Sequence, residues 1–218
     1  VGKNDARTII MDGLKRLEYR GYDSAGIALV RNGSIGIRKK VGEIANLEEL
    51  LKQEMARGIC FDSHTGIGHT RWAPHGAPSD VNAHPHASED GTVAIVHNGI
   101  IENFVEIKQR LIAEYNVKFK SETDSEVIAH LIAAHMKNYS TLEDAVYAAT
   151  LEMRGAYALV VVSSKDPNKI VAVRKDAPLI AGIGKGENFI ASDIPALMKH
   201  CKEIYLIENG EMVVVTAD

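Results

Sequence analysis

From Gly155 onward the chain is a succession of short runs rich in Val, Ile and aromatic residues: GAYALVVVS, KIVAVRK, PLIAGIG, NFIASD and EIYLIENGEMVVVTA. Turn-forming Gly, Pro, Asn and Asp separate them, so each run reads as a strand. Helical periodicity is concentrated earlier. A doubly wound parallel sheet needs strict alternation of strands and helices, and this sequence lacks it. The pattern predicts an α+β fold with antiparallel sheets. No internal repeat or low-complexity linker divides the 218 residues, which fit one domain. At 45% apolar residues the chain can build a sizeable core without staples.

The earlier part supplies helices and the remaining strands. Asn4 or Asp5 can cap a helix that places Ile9, Ile10, Leu14 and Leu17 on one face and stops by Gly21. AGIALVR and SIGIRKKV flank Asn32-Gly33, the dipeptide best suited to a tight primed turn, and predict a hairpin. GEIANLEELLKQEM is a second helical pattern, and GIGHTRW a strand that runs into a loop over roughly 73–92, long for a plain connector. TVAIVHNG reads as a strand stopped by an Asn-Gly turn, and NFVEIKQRLIAEY as an amphipathic helix. Thr123 with Glu126 has the spacing of a capping box for a helix through Met136, and Thr141 with Asp144 opens another. EIYLIENGEMVVVTA predicts a closing hairpin.

Charge and cysteine usage exclude several functions. The net charge is −4 and no basic run exceeds RKK at 38–40, which argues against nucleic acid or an anionic membrane as partner. VGKNDARTII has no apolar core of a secretory signal, and the apolar run Ala156–Val162 is too short to span a bilayer. Cys60 and Cys201 form neither a CxxC pair nor a disulfide framework, so a reducing cytoplasm is the expected location.

The densest chemistry is HTRWAPHG at 69–76, with two His, an Arg, a Pro and the single Trp. Six of the nine His (64, 69, 75, 84, 86 and 97) fall between residues 64 and 97. A metal site centred on HPH is one reading, but HExxH is missing, and hydrogen bonding within a folded loop accounts for them more simply. GIGKGEN at 182–188 precedes a strand rather than a helix and so reads as a turn, not a phosphate loop. Cys60 and His64 have no orienting carboxylate at a recognisable position and are better explained structurally. Arg71 at a strand end and Asp124 at a helix start are each ordinary alone. As a pair they offer a cation for a carboxylate and an anion for an ammonium, the two charges of a free amino acid. Asn98 and Gly99 add a side-chain amide and an unobstructed backbone N–H, which suit an oxyanion hole. The plain alternative for them is a strand-end turn.

RGYDSAG (20–26), GHTRWAPHG (68–76), NAHPH (82–86), VHNGIIEN (96–103) and SETDSE (121–126) occur in that order. Together they make the chain similar, over nearly its whole length, to the glutaminase (class II glutamine amidotransferase) domains of glucosamine-6-phosphate synthases. Tyr22 and Trp72 stand where purine-pathway relatives have Gln and Tyr, which favours the amino-sugar branch. The resemblance implies an N-terminal-nucleophile hydrolase fold, a four-layer αββα sandwich of antiparallel sheets. It implies hydrolysis of L-glutamine, with ammonia passed to fructose 6-phosphate on an isomerase domain of the same polypeptide, and a homodimer. No cofactor and no metal are implied. By position, Arg71 would hold the glutamine carboxylate and Asp124 its ammonium. Trp72, His75 and Gly99 would line the pocket, His84 would support its loop, and Asn98 with Gly99 would stabilise the oxyanion.

Two departures stand out. The family's nucleophile is an N-terminal Cys on a CGIVG-like strand, its α-amine serving as base. VGKNDAR aligns just beyond that strand, so nucleophile and strand are expected to precede these residues, and this stretch alone is expected to be inactive. Pro74 replaces the family's usual Thr, which removes a hydroxyl and a backbone donor; one lost hydrogen bond costs roughly 0.5–1.5 kcal/mol. The competing readings are a glutamine-binding module without catalysis, the purine-pathway branch, and a metal-dependent hydrolase built on the His cluster.

Overall fold

The computed structural model describes residues 1–71 and 78–218. Asp5 accepts the Thr8 amide at 3.3 Å and starts α1 (Ala6–Arg16); a 3-10 turn over Glu18–Arg20 then ends at Gly21, φ 81°. β1 (Ser24–Arg31) and β2 (Ser34–Val41) form the expected hairpin, with Asn32 and Gly33 at φ 49° and 72°, the left-handed pair a primed turn requires. There follow α2 (Ile44–Ala56), β3 (Thr65–Arg71), β4 (His86–Ala87), β5 (Val93–Ile101), α3 (Phe104–Tyr115), α4 (Glu126–His135) and α5 (Leu142–Glu152). Thr141 caps α5 by accepting the Asp144 amide at 3.2 Å. The rest is β6 (Gly155–Ser163), β7 (Asp166–Lys175), β8 (Ile180–Ile183), β9 (Asn188–Ala191), β10 (Glu203–Leu206) and β11 (Met212–Val215), with a 3-10 turn at Ile194–Ala196.

The strands form sheets ordered β2-β1-β3, β11-β7-β6-β5-β4 and β10-β8-β9. Their strand pairs run antiparallel. Period-two alternation separates the layers. On β1, Ala25, Ile27 and Leu29 pack with Leu14, Ile44, Leu47 and Leu51 of α1 and α2. The intervening Ala28 and Val30 face the other way, against Ala94, Val96, Ala158, Val160 and Ala172 of the five-stranded sheet. The opposite face of that sheet, with Val93, Ile95, Leu159 and Val161, receives Val127, Ile128, Leu131 and Ile132 of α4. Helices, two sheets and helices thus stack as αββα. The helix-facing cores use Leu and Ile, each stabilising by ~1.5–3 kcal/mol when fully buried, whereas the inter-sheet layer is largely Ala and Val.

The closing hairpin expected over Glu203–Ala217 does not form. β10 pairs with β8 and β11 with β7, in different sheets. The crossing segment is pinned instead. Ile207 is fully buried, its carbonyl accepts from the Arg174 guanidinium, and Asn209 Oδ1 accepts the Asp176 amide at 2.6 Å.

β3 and β9 are edge strands of their sheets, and residues 1–2 lie between their beginnings. Gly2 N donates to His64 O at 3.0 Å and bridges Glu187 antiparallel; Asn188 N donates to Val1 O at 2.9 Å. A cavity of about 930 Å³ extends between the two strands, lined by Gly66, Ile67 and Gly68 on one side and Phe189, Ile190 and Ala191 on the other. Arg71, at the opposite end of β3, lies roughly 20 Å along the strand from this entry at about 3.3 Å per residue.

Candidate active site

The Asn-Gly of β5 is not a turn. The strand continues through it to Ile101, paired with β6 as Asn98↔Ala158 and Gly99↔Tyr157. Only glycine fits there. Gly99 has φ 126°, and a Cβ would collide with the carbonyl oxygen of Ala156. On the other side of β5, β4 pairs only Ala94 and Ile95. Beyond them that edge faces the cavity. Glu102 N donates to Arg154 O at 2.9 Å, while Ile101 N turns away to Asp124 Oδ2 at 2.7 Å. Strand alternation then directs the Gly99 N–H to the same edge as Ile101, beside the Asn98 side chain.

Asp124 is presented by a loop built around Glu126. The expected Thr123–Glu126 capping box is replaced by another arrangement: Ser125 is the residue before α4 and makes no side-chain cap, and Thr123 Oγ1 lies 3.1 Å from His86 Nε2. The Glu126 carboxylate accepts the amides of Lys120 (2.8 Å) and Ser121 (2.6 Å) and the Ser121 hydroxyl (2.6 Å). Burial opposes its ionisation, but hydrogen bonds from His130, Ser121 and these amides hold its pKa down at about 2. A fixed anion therefore organises the residues that lead into Asp124. Ser125 Oγ bridges Asp124 Oδ1 (3.3 Å) and His97 Nδ1 (2.7 Å).

Arg71 and Asp124 line the same cavity, together with His69, His84, His97, Asn98 and Gly99. Arg71 Nη1 lies 3.9 Å from Asp23 Oδ1, and both side chains are largely buried. Four buried imidazoles at this end of the molecule, His69, His84, His86 and His97, are neutral near pH 7. Burial lowers the pKa of His69 and His97 to about 4 and of His86 to about 3, and drives that of His84 well below the ordinary value. The rings pack in a row, His69 to His84 at 4.4 Å and His84 to His86 at 4.7 Å between centroids. Among the described residues no group of three or more His, Cys, Asp or Glu could hold a metal ion. Arg71, Asp124 and Glu122 are charged residues of the cavity lining, and Asp23 stands beside Arg71. The loop bearing His84 is held from β2: Lys39 Nζ donates to the carbonyls of Val81 (2.9 Å) and Ala83 (2.7 Å), and Asp80 accepts the Val41 amide (2.7 Å).

Residues 36–214 match the family described as a glutamine amidotransferase domain. The chain belongs to the glutamine amidotransferase domain family. Relatives named glutamine–fructose-6-phosphate aminotransferase (isomerizing) include those of Clostridium tetani, 51% identical over 218 residues, and Pyrococcus horikoshii, 49% identical over 218 residues. Both comparisons cover all of this chain, which spans only about a third of their length, 34% and 36% respectively. Among solved structures, the glutamine phosphoribosylpyrophosphate amidotransferase of B. subtilis superposes with a TM-score of 0.80 at 25% identity, covering 99% of this chain and 46% of that one. The αββα arrangement of this amidotransferase domain is therefore of the N-terminal-nucleophile type.

Of the candidate residues, Arg71, His84, Asn98, Gly99 and Asp124 converge on one cavity of the amidotransferase domain. Trp72, Pro74 and His75 lie outside the described residues. Cys60 is exposed and does not line the cavity, and His64 Nδ1 sits 3.2 Å from the Asn4 carbonyl rather than beside a nucleophile. GIGKGEN is the β8–β9 turn, closed by Gly184 N to Glu187 O at 3.0 Å. Sequence reasoning missed Glu126, Lys39 and Ser125 as supports of the site. Only the burial of charged side chains betrays the first two, and a linear sequence does not show burial.

Proposed function

We propose that this chain is the glutamine-hydrolysing domain of a glutamine–fructose-6-phosphate aminotransferase. The observation that carries the reading is the meeting of Arg71, Asp124 and the Asn98–Gly99 pair on one cavity. Arg71 grips the carboxylate of L-glutamine and Asp124 its ammonium. The Asn98 amide and Gly99 N–H then receive the oxygen of the side-chain amide, where two aimed donors are worth several kcal/mol to acyl transfer. Trp72 and His75 complete the pocket wall, and His84 supports it.

The nucleophile in this reading is a cysteine thiol on a strand preceding Val1. The slot between β3 and β9 supports it, because residues 1–2 already hydrogen-bond at its mouth to both flanking segments. A strand continued through the slot ends near Arg71 and Gly99. There the free α-amine takes the thiol proton, since the two groups have similar pKa values. Sulfur bonds to the amide carbon, the C–N bond breaks, and the proton leaves with ammonia. Water then cleaves the thioester to release glutamate. The ammonia passes to fructose 6-phosphate on an isomerase domain of the same polypeptide, which acts as a homodimer in the cytoplasm. No described helix is long and apolar enough to cross a membrane.

Treatment of the full-length protein with a glutamine-like electrophile tests the reading. It expects a single adduct on a cysteine preceding Val1 and loss of glutamine-dependent glucosamine 6-phosphate formation. An adduct on Cys60 or Cys201, or none while glutamine still binds, overturns it in favour of another chemistry or a binding module.

A further inference from the structure

We propose that His69 is a positioning residue: it donates from Nε2 to Oδ1 of Asn98 and so fixes which end of that amide faces the reacting oxygen. The inference deepens the glutaminase reading and rests on it. His69 Nε2 lies 2.8 Å from Asn98 Oδ1 across the gap between the two main sheets. A carboxamide has one acceptor and one NH2 group, related by a half-turn about a soft torsion. When Oδ1 is engaged by the imidazole, Nδ2 is the end left for the cavity. Turned over, the same side chain presents a lone pair to a developing oxyanion and repels it.

The imidazole is itself fixed. A neutral ring carries one N–H, and an Nδ1–H tautomer would bury that donor and set the Nε2 lone pair against Oδ1. Nδ1 is buried without a hydrogen-bond partner among the described residues, so Nε2–H is the tautomer with a partner. The ring packs against His84 at 4.4 Å and a tilt of 35°. His69 pairs with Gly26 of β1, and a Cβ at Gly26 would strike the carbonyl oxygen of His84. The bare Gly26 backbone thus lets the His84 segment approach closely enough to brace His69, which in turn orients Asn98.

The test uses the full-length protein, with His69→Leu and His69→Gln compared. The carboxamide of the Gln variant can place its NH2 where Nε2 stands. Loss of a whole oxyanion donor costs ~10²–10³ in kcat, so a donor left free to turn over should cost roughly 10–100-fold. His69→Leu is therefore expected to lower kcat for glutamine hydrolysis by that factor with KM within about threefold, and His69→Gln to restore most of it. Nitrogen-15 imidazole shifts of the unaltered protein should report the Nε2–H tautomer of His69. A His69→Leu kcat within threefold of the unaltered protein, or an Nδ1–H tautomer, overturns the proposal. The tautomer reading decides it even where both variants fail to fold. An unaltered protein without glutaminase activity refutes the function instead, and leaves the tautomer to decide the contact.

Discussion

Replacing Glu126 with Gln removes a charge from the centre of the loop that carries Asp124 while leaving its shape nearly intact. One carboxylate oxygen serves the Lys120 amide, the other the amide and hydroxyl of Ser121. A carboxamide keeps only one acceptor oxygen, so its NH2 group must confront a donor on one side. Hydrogen bonds to charged groups contribute about 1.5–3 kcal/mol each. Losing at least one and weakening the rest should loosen the loop by about 2–4 kcal/mol. At ~1.4 kcal/mol per tenfold change, the Lys120 and Ser121 amides should exchange with solvent roughly 30- to 800-fold faster, read residue by residue by NMR or mass spectrometry. The effect has a sign in pH. The folded pKa of about 2 lies below the ordinary 4.5, so the ionised group contributes fully above about pH 5 and loses its contribution as pH falls from 4.5 toward 2. The difference between the unaltered and Glu126→Gln proteins should shrink over that window. Exchange within threefold of the unaltered protein at pH 6, or a gap that persists undiminished near pH 2, would refute this account of the loop.

Gly99→Ala should abolish glutaminase activity, because φ 126° and the Ala156 carbonyl leave no place for a methyl group; measurable turnover above about one per cent, in a folded variant, would count against the mid-strand geometry. Arg71→Lys keeps the charge but loses the paired donors, so KM for glutamine should rise by at least about tenfold while kcat changes less. Thr141→Ala removes the cap of α5, remote from the cavity, and should cost about 1 kcal/mol of stability by denaturant titration with KM unchanged.

The layers were legible because alternation is a local property: Ile27 and Leu29 against Ala28 and Val30 already assign two faces to β1. Asp5, Asn32-Gly33 and Thr141 likewise act within a few residues of themselves, and each behaves as its chemistry dictates. Two of the failures involve distant partners, and the third a chain reversal five or six residues upstream. Asn98-Gly99 has the local grammar of a turn, but nine consecutive pairings with β6 carry the strand through it. Glu126 looks like a capping acid until Ser121 and Lys120 fold back over it. Glu203–Ala217 reads as a hairpin because nothing in that stretch reveals that Arg174 and Asp176 divide it between sheets. Arg71 and Asp124 were singled out by ordered motifs rather than by spacing, since 53 positions of chain separate them (124 − 71).

The two unpaired borders that confront one another across the slot have a bearing beyond chemistry. A bare strand margin is a template on which any other chain can crystallise its own backbone, and proteins ordinarily shield such margins with charge, proline or a covering segment. β3 offers Gly66, Ile67 and Gly68 there, residues that themselves carry neither charge nor proline. Whatever strand closes the gap therefore guards the molecule against sticking to its neighbours, so loss of reactivity and loss of colloidal behaviour should arrive together.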